Sequence, residues 1–202
     1  MLFRSGLAAL PWTDASRQLQ QRLCLAHQHL GSPWPDRSDA QLLAEPAAWL
    51  ADQLEGMRSR ADLQRLDLQE ALWSGLDWDC RRQLEQWLPA SLPIPSGRLA
   101  RLDYSSGEPV LAVKLQELFG ATATPTVLQG RLPVTVQLLS PAGRPAAITR
   151  DLAGFWQGAY QEVRRELRGR YPRHPWPEDP STVPATALTR RRLEQRRAQP
   201  QN

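Results

Sequence analysis

Twenty-four arginines and a single lysine are the residues in this 202-residue chain that most constrain its chemistry. A Walker-type phosphate loop needs a lysine at the end of a glycine-rich turn, where its ammonium reaches the β and γ phosphates. The sole lysine, Lys114, stands in LAVKLQ, and no Asp-Glu acidic motif exists to hold magnesium, so the chain carries no motif for hydrolysing ATP by itself. Arginine, by contrast, is a planar fork that pairs bidentately with phosphate and stacks on bases. That chemistry holds a polyanion and breaks no bond. A GC-rich genome, which favours arginine codons, is the plain alternative source of the bias.

Other constellations offer less. His27 and His29 are two apart, about 200° round a helix rather than on one face, which argues against a metal site. His174, between Arg173 and Pro175, reads as a packing or hydrogen-bonding residue. Asp77 and Asp79 flank Trp78 like a catalytic carboxylate pair, but ahead of a helix such residues cap free backbone N–H groups. Ser96, Ser105 and Ser106 lie in no nucleophile-elbow pattern. Cys24 and Cys80 are far apart without a CxxC, which argues against a disulfide scaffold or a thiolate zinc site and fits a reducing cytoplasm. Of eight tryptophans, Trp49, Trp73, Trp78 and Trp87 fall in helical patterns as core or interdomain fillers, and Trp156 reads as core. Trp176, held between Pro175 and Pro177, is placed either to dock on its domain or to stack on an unpaired base.

The charge is uneven. Residues 1–97 carry 9 basic and 12 acidic side chains, net −3, and residues 98–202 carry 16 and 9, net +7. No window approaches the roughly 18 apolar residues of a membrane span, and the N-terminus lacks the apolar core of a secretory signal. The expected setting is the cytoplasm, with no membrane partner.

These residues must be positioned by an α+β fold: a helical N-terminal half, then a small, mostly antiparallel sheet with one short and one long amphipathic helix, and a basic disordered C-terminal tail. The expected segments are 1–88, 89–180 and 181–202. Thr13 or Asp14 caps a helix with Leu19, Leu23, Ala26 and Leu30 at helical spacing, and Ser38 or Asp39 starts another through Leu54, turned or kinked at Pro46. Two more helices are expected near 67–73 and 78–87. From residue 89, prolines and a period-two pattern predict a hairpin of 92–95 with 98–104 about Ser96-Gly97, and strands at 126–128, 134–139 and 146–149. Pro109, Leu111, Leu115, Leu118, Phe119 and Gly120 read as the short helix with its glycine stop. DLAGFWQGAYQEVRRELRGR at 151–170, capped by Asp151, reads as the long helix, burying Leu152, Phe155, Trp156, Ala159, Val163 and Leu167 and presenting Gln157, Gln161, Arg164, Arg165 and Arg168. Its Gly154-x-x-x-Gly158 suggests close helix packing. The segment 171–177 is extended, and 190–197, RRRLEQRR, is too charged to fold alone.

Several strings together carry a family resemblance: LPWTDASRQLQQRL at 10–23, LPIPSGRLARLDYSSGEPVLAVKLQELFG at 92–120, and RLPVTVQLLSPAGRPAAITRDLAGFWQGAYQEVRRELRGRYPRHPWPEDP at 131–180. From about residue 7 to 180 the chain resembles the C-terminal region of HrpB-type ATP-dependent helicases, bacterial relatives of the DEAH-box RNA helicases. The resemblance implies two RecA-like motor domains elsewhere, in cis or in trans, so ATP and magnesium are implied only for those motors and no cofactor for this chain. The expected product is a fragment, a split gene product or a mis-started frame. The resemblance also implies a basic accessory surface, whose matching positions are Arg98, Arg101, Lys114, Arg144, Arg150, Arg164, Arg165, Arg168, Arg170 and Arg173. Each either touches single-stranded RNA or DNA or pairs with Asp103, Glu108, Glu117, Glu162 or Glu166. The leading expectation is a noncatalytic domain making sequence-independent nucleic-acid contacts. The alternatives are a module docking on separately encoded motors, or one half of a two-chain helicase.

Overall fold

The structure is a computed structural model that describes residues 6–57, 59–186, 188–189 and 191–192. The chain divides into two compact units, a helical one of Met1–Pro89 with Tyr104–Glu108 and a sheet unit of Ala90–Asp103 with Pro109–Asn202.

The helical unit is built from locally capped segments. Helix α1, Asp14–Leu30, starts at Thr13, whose side chain accepts from the Ser16 amide at 3.1 Å while Ser16 Oγ accepts from the Thr13 amide at 2.9 Å. Leu19, Leu23 and Ala26 are buried, as their spacing requires. The stretch after Ser38 forms two helices, α2 (Asp39–Ala44) and α3 (Ala47–Leu54), separated at Pro46, which has no amide to continue the ladder. A short helix that the pattern gave no reason to expect, α4 (Arg60–Leu63), is capped by Ser59 and Asp62. Helices α5 (Leu68–Leu72) and α6 (Trp78–Trp87) follow, capped by Asp67 and Asp77; the Asp77 carboxylate accepts from the Cys80 amide at 2.8 Å. Asp79 pairs instead with Arg82 at 2.8 Å.

The tryptophans divide. Trp49 is buried and donates to Leu42 O at 3.0 Å, and Trp73 and Trp87 are half-buried. Trp78, expected as filler, is 74% exposed. The buried stripe of α6 runs through Cys80, Leu84 and then Leu88, and a residue two before Cys80 lies about 200° away from it.

One buried charge ties α1 to the end of α6. Arg22 donates from Nε to Leu88 O at 2.6 Å and from Nη2 to Leu84 O at 3.4 Å, and reaches Glu85 at 2.8 Å. It thereby satisfies carbonyls that a helix C-terminus leaves open.

In the sheet unit, β1 (Ser91–Pro93), β2 (Leu99–Asp103), β3 (Val110–Lys114), β6 (Thr135–Leu139) and β7 (Pro145–Thr149) form a five-stranded sheet in the order β1-β2-β3-β6-β7, and β4 (Thr126–Val127) pairs with β5 (Leu132–Pro133) separately. The fold is α+β, and in the larger sheet only β3 and β6 run parallel. The hairpin about Ser96-Gly97 is present, with Gly97 at φ 82°.

Two expected helices differ. Residues 110–114 form a strand, and only Leu115–Leu118 is helical, as a 3-10 turn. Here VLAVK alternates buried Leu111 and Val113 with exposed Ala112, contains two β-branched valines and is paired on both edges. The expected long helix is two, α7 (Leu152–Gln157) and α8 (Tyr160–Arg170), broken at Gly158-Ala159. The break buries Tyr160 and leaves Ala159 exposed and Val163 half-buried, so the stripe expected for one straight helix does not hold. Gly154 is overlaid by the carboxylate of Asp151, which caps it at 2.9 Å, and the Gly158 amide closes α7 onto Gly154 O at 3.0 Å. The two glycines serve the cap and the break, not helix packing.

Phe119, Phe155, Trp156 and Tyr160 form a cluster with ring centroids 5.2–6.3 Å apart. At the end of the 89–180 segment the Gly120 amide donates to Pro180 O, and just beyond it the Thr186 amide donates to Gln116 O, both at 2.9 Å. Most of the 190–197 run lies outside the described residues.

Two outcomes follow. Arg22→Ala should cost about 2–3 kcal/mol in urea unfolding, because the α6 carbonyls lose their donor, whereas Glu85→Gln should cost less than about 1 kcal/mol. Burial pushes the Cys24 thiol up to about 11. At pH 8 it should react with iodoacetamide about a hundredfold more slowly than an unhindered thiol, and the gap should narrow as pH approaches 11.

Candidate nucleic-acid interface

The ten basic positions singled out by the sequence separate into three groups. The first is used up structurally. Arg98 makes a two-pronged pair with Glu117, from Nε at 2.9 Å and Nη2 at 3.1 Å; the carboxylate it meets is only 7% exposed and also accepts from the Lys114 amide. Arg164 is pinned by donation to Trp176 O at 3.0 Å and stands 3.6 Å from Glu178. Neither is available as a phosphate clamp without breaking the contact that holds it.

The second group lies on α8 and just beyond. Arg165, Arg168, Arg170 and Arg173 are exposed. Arg170 stands 3.9 Å from Glu166, the expected i, i+4 pair, an exposed and loose one worth little. Arg165 and Arg168 are one turn apart on one side, while Tyr160 and Leu167 face the core.

The third group is on the sheet. Arg101, Lys114 and Arg150 belong by strand alternation to the face opposite the buried Ala100, Leu102, Leu111, Val113, Val136 and Leu138. Arg150 donates from Nε to Thr135 Oγ1 at 2.8 Å, which fixes it beside β6. Arg144 is exposed in the turn between β6 and β7, with its amide on Ser140 Oγ at 3.2 Å. The signal that could have found this face is the period-two alternation of 110–114, which the leucine spacing 111, 115, 118 obscured.

Trp176 is not a stacking platform. It is 4% exposed and donates from Nε1 to Tyr171 O at 2.9 Å, so its ring docks on its own unit. His174 is half-buried with its Nδ1 enclosed, and burial together with the nearby Lys114 ammonium lowers its pKa. His27 Nδ1 lies 2.8 Å from Trp34 O, and among the described residues no group of three His, Cys, Asp or Glu is placed to hold a metal. Nor, among them, is any helix long and apolar enough to cross a membrane.

Residues 49–180 match the family model described as ATP-dependent helicase C-terminal, HrpB_C. The chain belongs to the HrpB helicase C-terminal family. It is 44% identical over 188 residues to the ATP-dependent RNA helicase HrpB of Escherichia coli K12, covering 92% of this chain and 23% of that protein. A crystal structure of the E. coli DExH-box NTPase HrpB superposes with a TM-score of 0.83 at 43% identity, over 92% of this chain and 23% of that one. A second, of the E. coli DEAH/RHA helicase HrpB, gives 0.69 at 41%, over 87% and 22%. The HrpB-like chain thus spans about a quarter of the length of these relatives.

Trp176→Phe should lower stability by about 1–2 kcal/mol through the lost indole bond. It should change affinity for a labelled oligouridine less than twofold; a tenfold loss in a folded variant would return the ring to the binding surface.

Proposed function

We propose that this HrpB-family domain is a noncatalytic accessory module that makes sequence-independent contacts to single-stranded RNA or DNA, in the cytoplasm, on behalf of helicase motors acting in cis or in trans. The observation that carries the reading is the exposure of Arg165, Arg168, Arg170 and Arg173 together at the end of α8 and the turn after it. The relative's name, an ATP-dependent RNA helicase, supports a nucleic-acid partner. The reading leaves ATP and magnesium to the motors; the place of Lys114, at the end of a β-strand and the start of a 3-10 turn, supports that division.

Arginine forks hold phosphate oxygens whatever the base, and each phosphate neutralised releases condensed counterions. Anisotropy titrations of a fluorescein-labelled U12 or dT12 against the full chain should therefore give a log affinity that falls with log salt at a slope near −3 for about four contacts, at ~0.7 per phosphate on a single strand. Replacing Arg165, Arg168, Arg170 and Arg173 by Gln should weaken binding at least about tenfold at low salt and flatten the slope. A salt-independent affinity would count against the reading. So would a variant that still holds the oligonucleotides but loses capture of the motor region of the E. coli relative, since those arginines would then serve protein docking.

A further inference from the structure

Among the described residues, Trp78 is the one tryptophan that the fold leaves in water. It is 74% exposed, whereas Trp49 and Trp176 are almost wholly buried. A ring of this size covers about 150–250 Å² when it packs, so leaving it in solvent forgoes one of the larger apolar contributions open to a small unit. Its place is nonetheless fixed. Gly75, at φ 76°, turns the chain after Trp73, Leu76 is buried, and the Asp77 carboxylate accepts from the Cys80 amide at 2.8 Å. Trp78 therefore opens a capped helix whose other side, Cys80 and Leu84, is packed. The ring is presented on a rigid support.

The charges on the same two helices select what can meet it. With their caps, α5 and α6 carry five exposed carboxylates, Asp67, Glu70, Asp77, Asp79 and Glu85, against two guanidiniums, Arg81 and Arg82. Arg81 donates twice to Glu70 and lies over the Trp73 ring, its Cζ 5.3 Å from the centroid. Arg82 stands 2.8 Å from Asp79. A phosphate beside Trp78 would have to displace a carboxylate from one of them, in a field that repels it. A second copy of the chain meets the same obstacle, because a symmetric contact sets this acidic surface against itself. One ring and its rim also fall far short of the about 800 Å² per partner of a stable free dimer.

We propose that Trp78 is a docking anchor whose ring enters an apolar pocket, edged by lysine or arginine, on the motor part of an HrpB helicase. Charge complementarity sets the basic edge against the carboxylates of α5 and α6, and tryptophan is the side chain most often found to carry such contacts. A single anchor is enough for a partner held nearby, since a linked site acts at an effective concentration near millimolar. The family supplies that partner: the match takes up 23% of the E. coli HrpB chain, and the rest of that helicase is what such a domain is joined to. The inference uses the reading given above only in taking helicase motors as the neighbour. It puts protein docking on the helical unit and leaves nucleic acid to the arginines of α8.

The test compares the full chain alone with a full-length E. coli HrpB that carries this chain in place of its own matching region. Hydroxyl-radical footprinting, read residue by residue by mass spectrometry, needs no substitution. Trp78 should be the most oxidised tryptophan of the free chain and at least about fivefold less oxidised in the hybrid helicase, with Trp49 and Trp176 low in both. Equal oxidation of Trp78 in the two proteins overturns the proposal. If the hybrid does not fold, the motor region of the relative is added to the free chain at about 1 mM, the concentration that a tether supplies, with the same outcomes. Protection that arises in the free chain by itself and grows with its concentration assigns the ring to contacts between copies and overturns the proposal too. In the hybrid, Asp79→Lys should raise Trp78 oxidation about twofold or more by setting a cation against the basic edge; an unchanged value removes the charge match that selects this partner. Trp78→Ser in the free chain should move Tm by less than about 2 °C and leave the affinity for U12 and dT12 within about twofold. A tenfold loss of affinity in that folded variant makes the ring a base platform and overturns the docking assignment. Should the unmodified chain bind neither oligonucleotide at low salt, the nucleic-acid reading fails, and the footprint still decides this one.

Discussion

The parallel pairing of β3 with β6 is the constraint on which the sheet unit depends. β3 is antiparallel to β2 on one edge and parallel to β6 on the other, and the register sets Leu111 against Val136 and Val113 against Leu138. With a side-chain period of two, a slip of β3 by one residue would turn the buried Leu111 and Val113 outward and bring Ala112 and Lys114 inward. A parallel pair cannot be joined by a tight turn. Residues 115–134 make the crossover, and they carry the buried Leu115, Leu118, Phe119, Leu128 and Val134. The connection that topology demands thus supplies core, and Phe119 meets Trp156 of α7 at 6.3 Å.

The same crossover decides how many cations are left for solvent. Glu117 sits in the 3-10 turn with its carboxylate enclosed, a position that is costly unless the charge is paired and hydrogen-bonded. Arg98 and the Lys114 amide supply those partners. Arg164 is spent in another way, on Trp176 O, which anchors the proline-rich segment against α8. A raw count of arginines therefore overstates the surface charge. What distinguishes a structural guanidinium from a recognition one is the acceptor within reach, and that is a property of the fold.

The sequence was most readable where the physics is local. Caps at Thr13, Ser38, Asp77 and Asp151 depend on a side chain and an amide two or three residues away, and each is where its motif requires. The hairpin at Gly97 is equally local. The misreadings occurred where distant partners decide. Leu111, Leu115, Leu118 and Phe119 fit one helical stripe by spacing, yet the first lies in a strand and the rest in or beside a 3-10 turn, because β2 and β6 claim 110–114 on both edges. At 151–170 the periodicity was sound on each side of Gly158 but out of phase across it. Trp176 shows the limit for site residues: its flanking prolines left docking and stacking both open, and the Tyr171 carbonyl, five residues back, is what anchors the ring.

Weak binding suits such a module. Under the proposed function a handful of cations gives sequence-independent affinity of the kind measured in roughly micromolar to 100 micromolar dissociation constants at physiological salt, too weak to recruit a strand unaided. Tethering changes the problem, because a second site linked to the first acts at an effective concentration near millimolar. A platform of that strength would be occupied whenever the motors hold nucleic acid and would release each phosphate quickly as the strand moves. Tight, base-specific contacts on the same face would oppose that motion. The buried tryptophans Trp156 and Trp176, which could have provided a firm grip, are instead committed to carbonyls of their own unit.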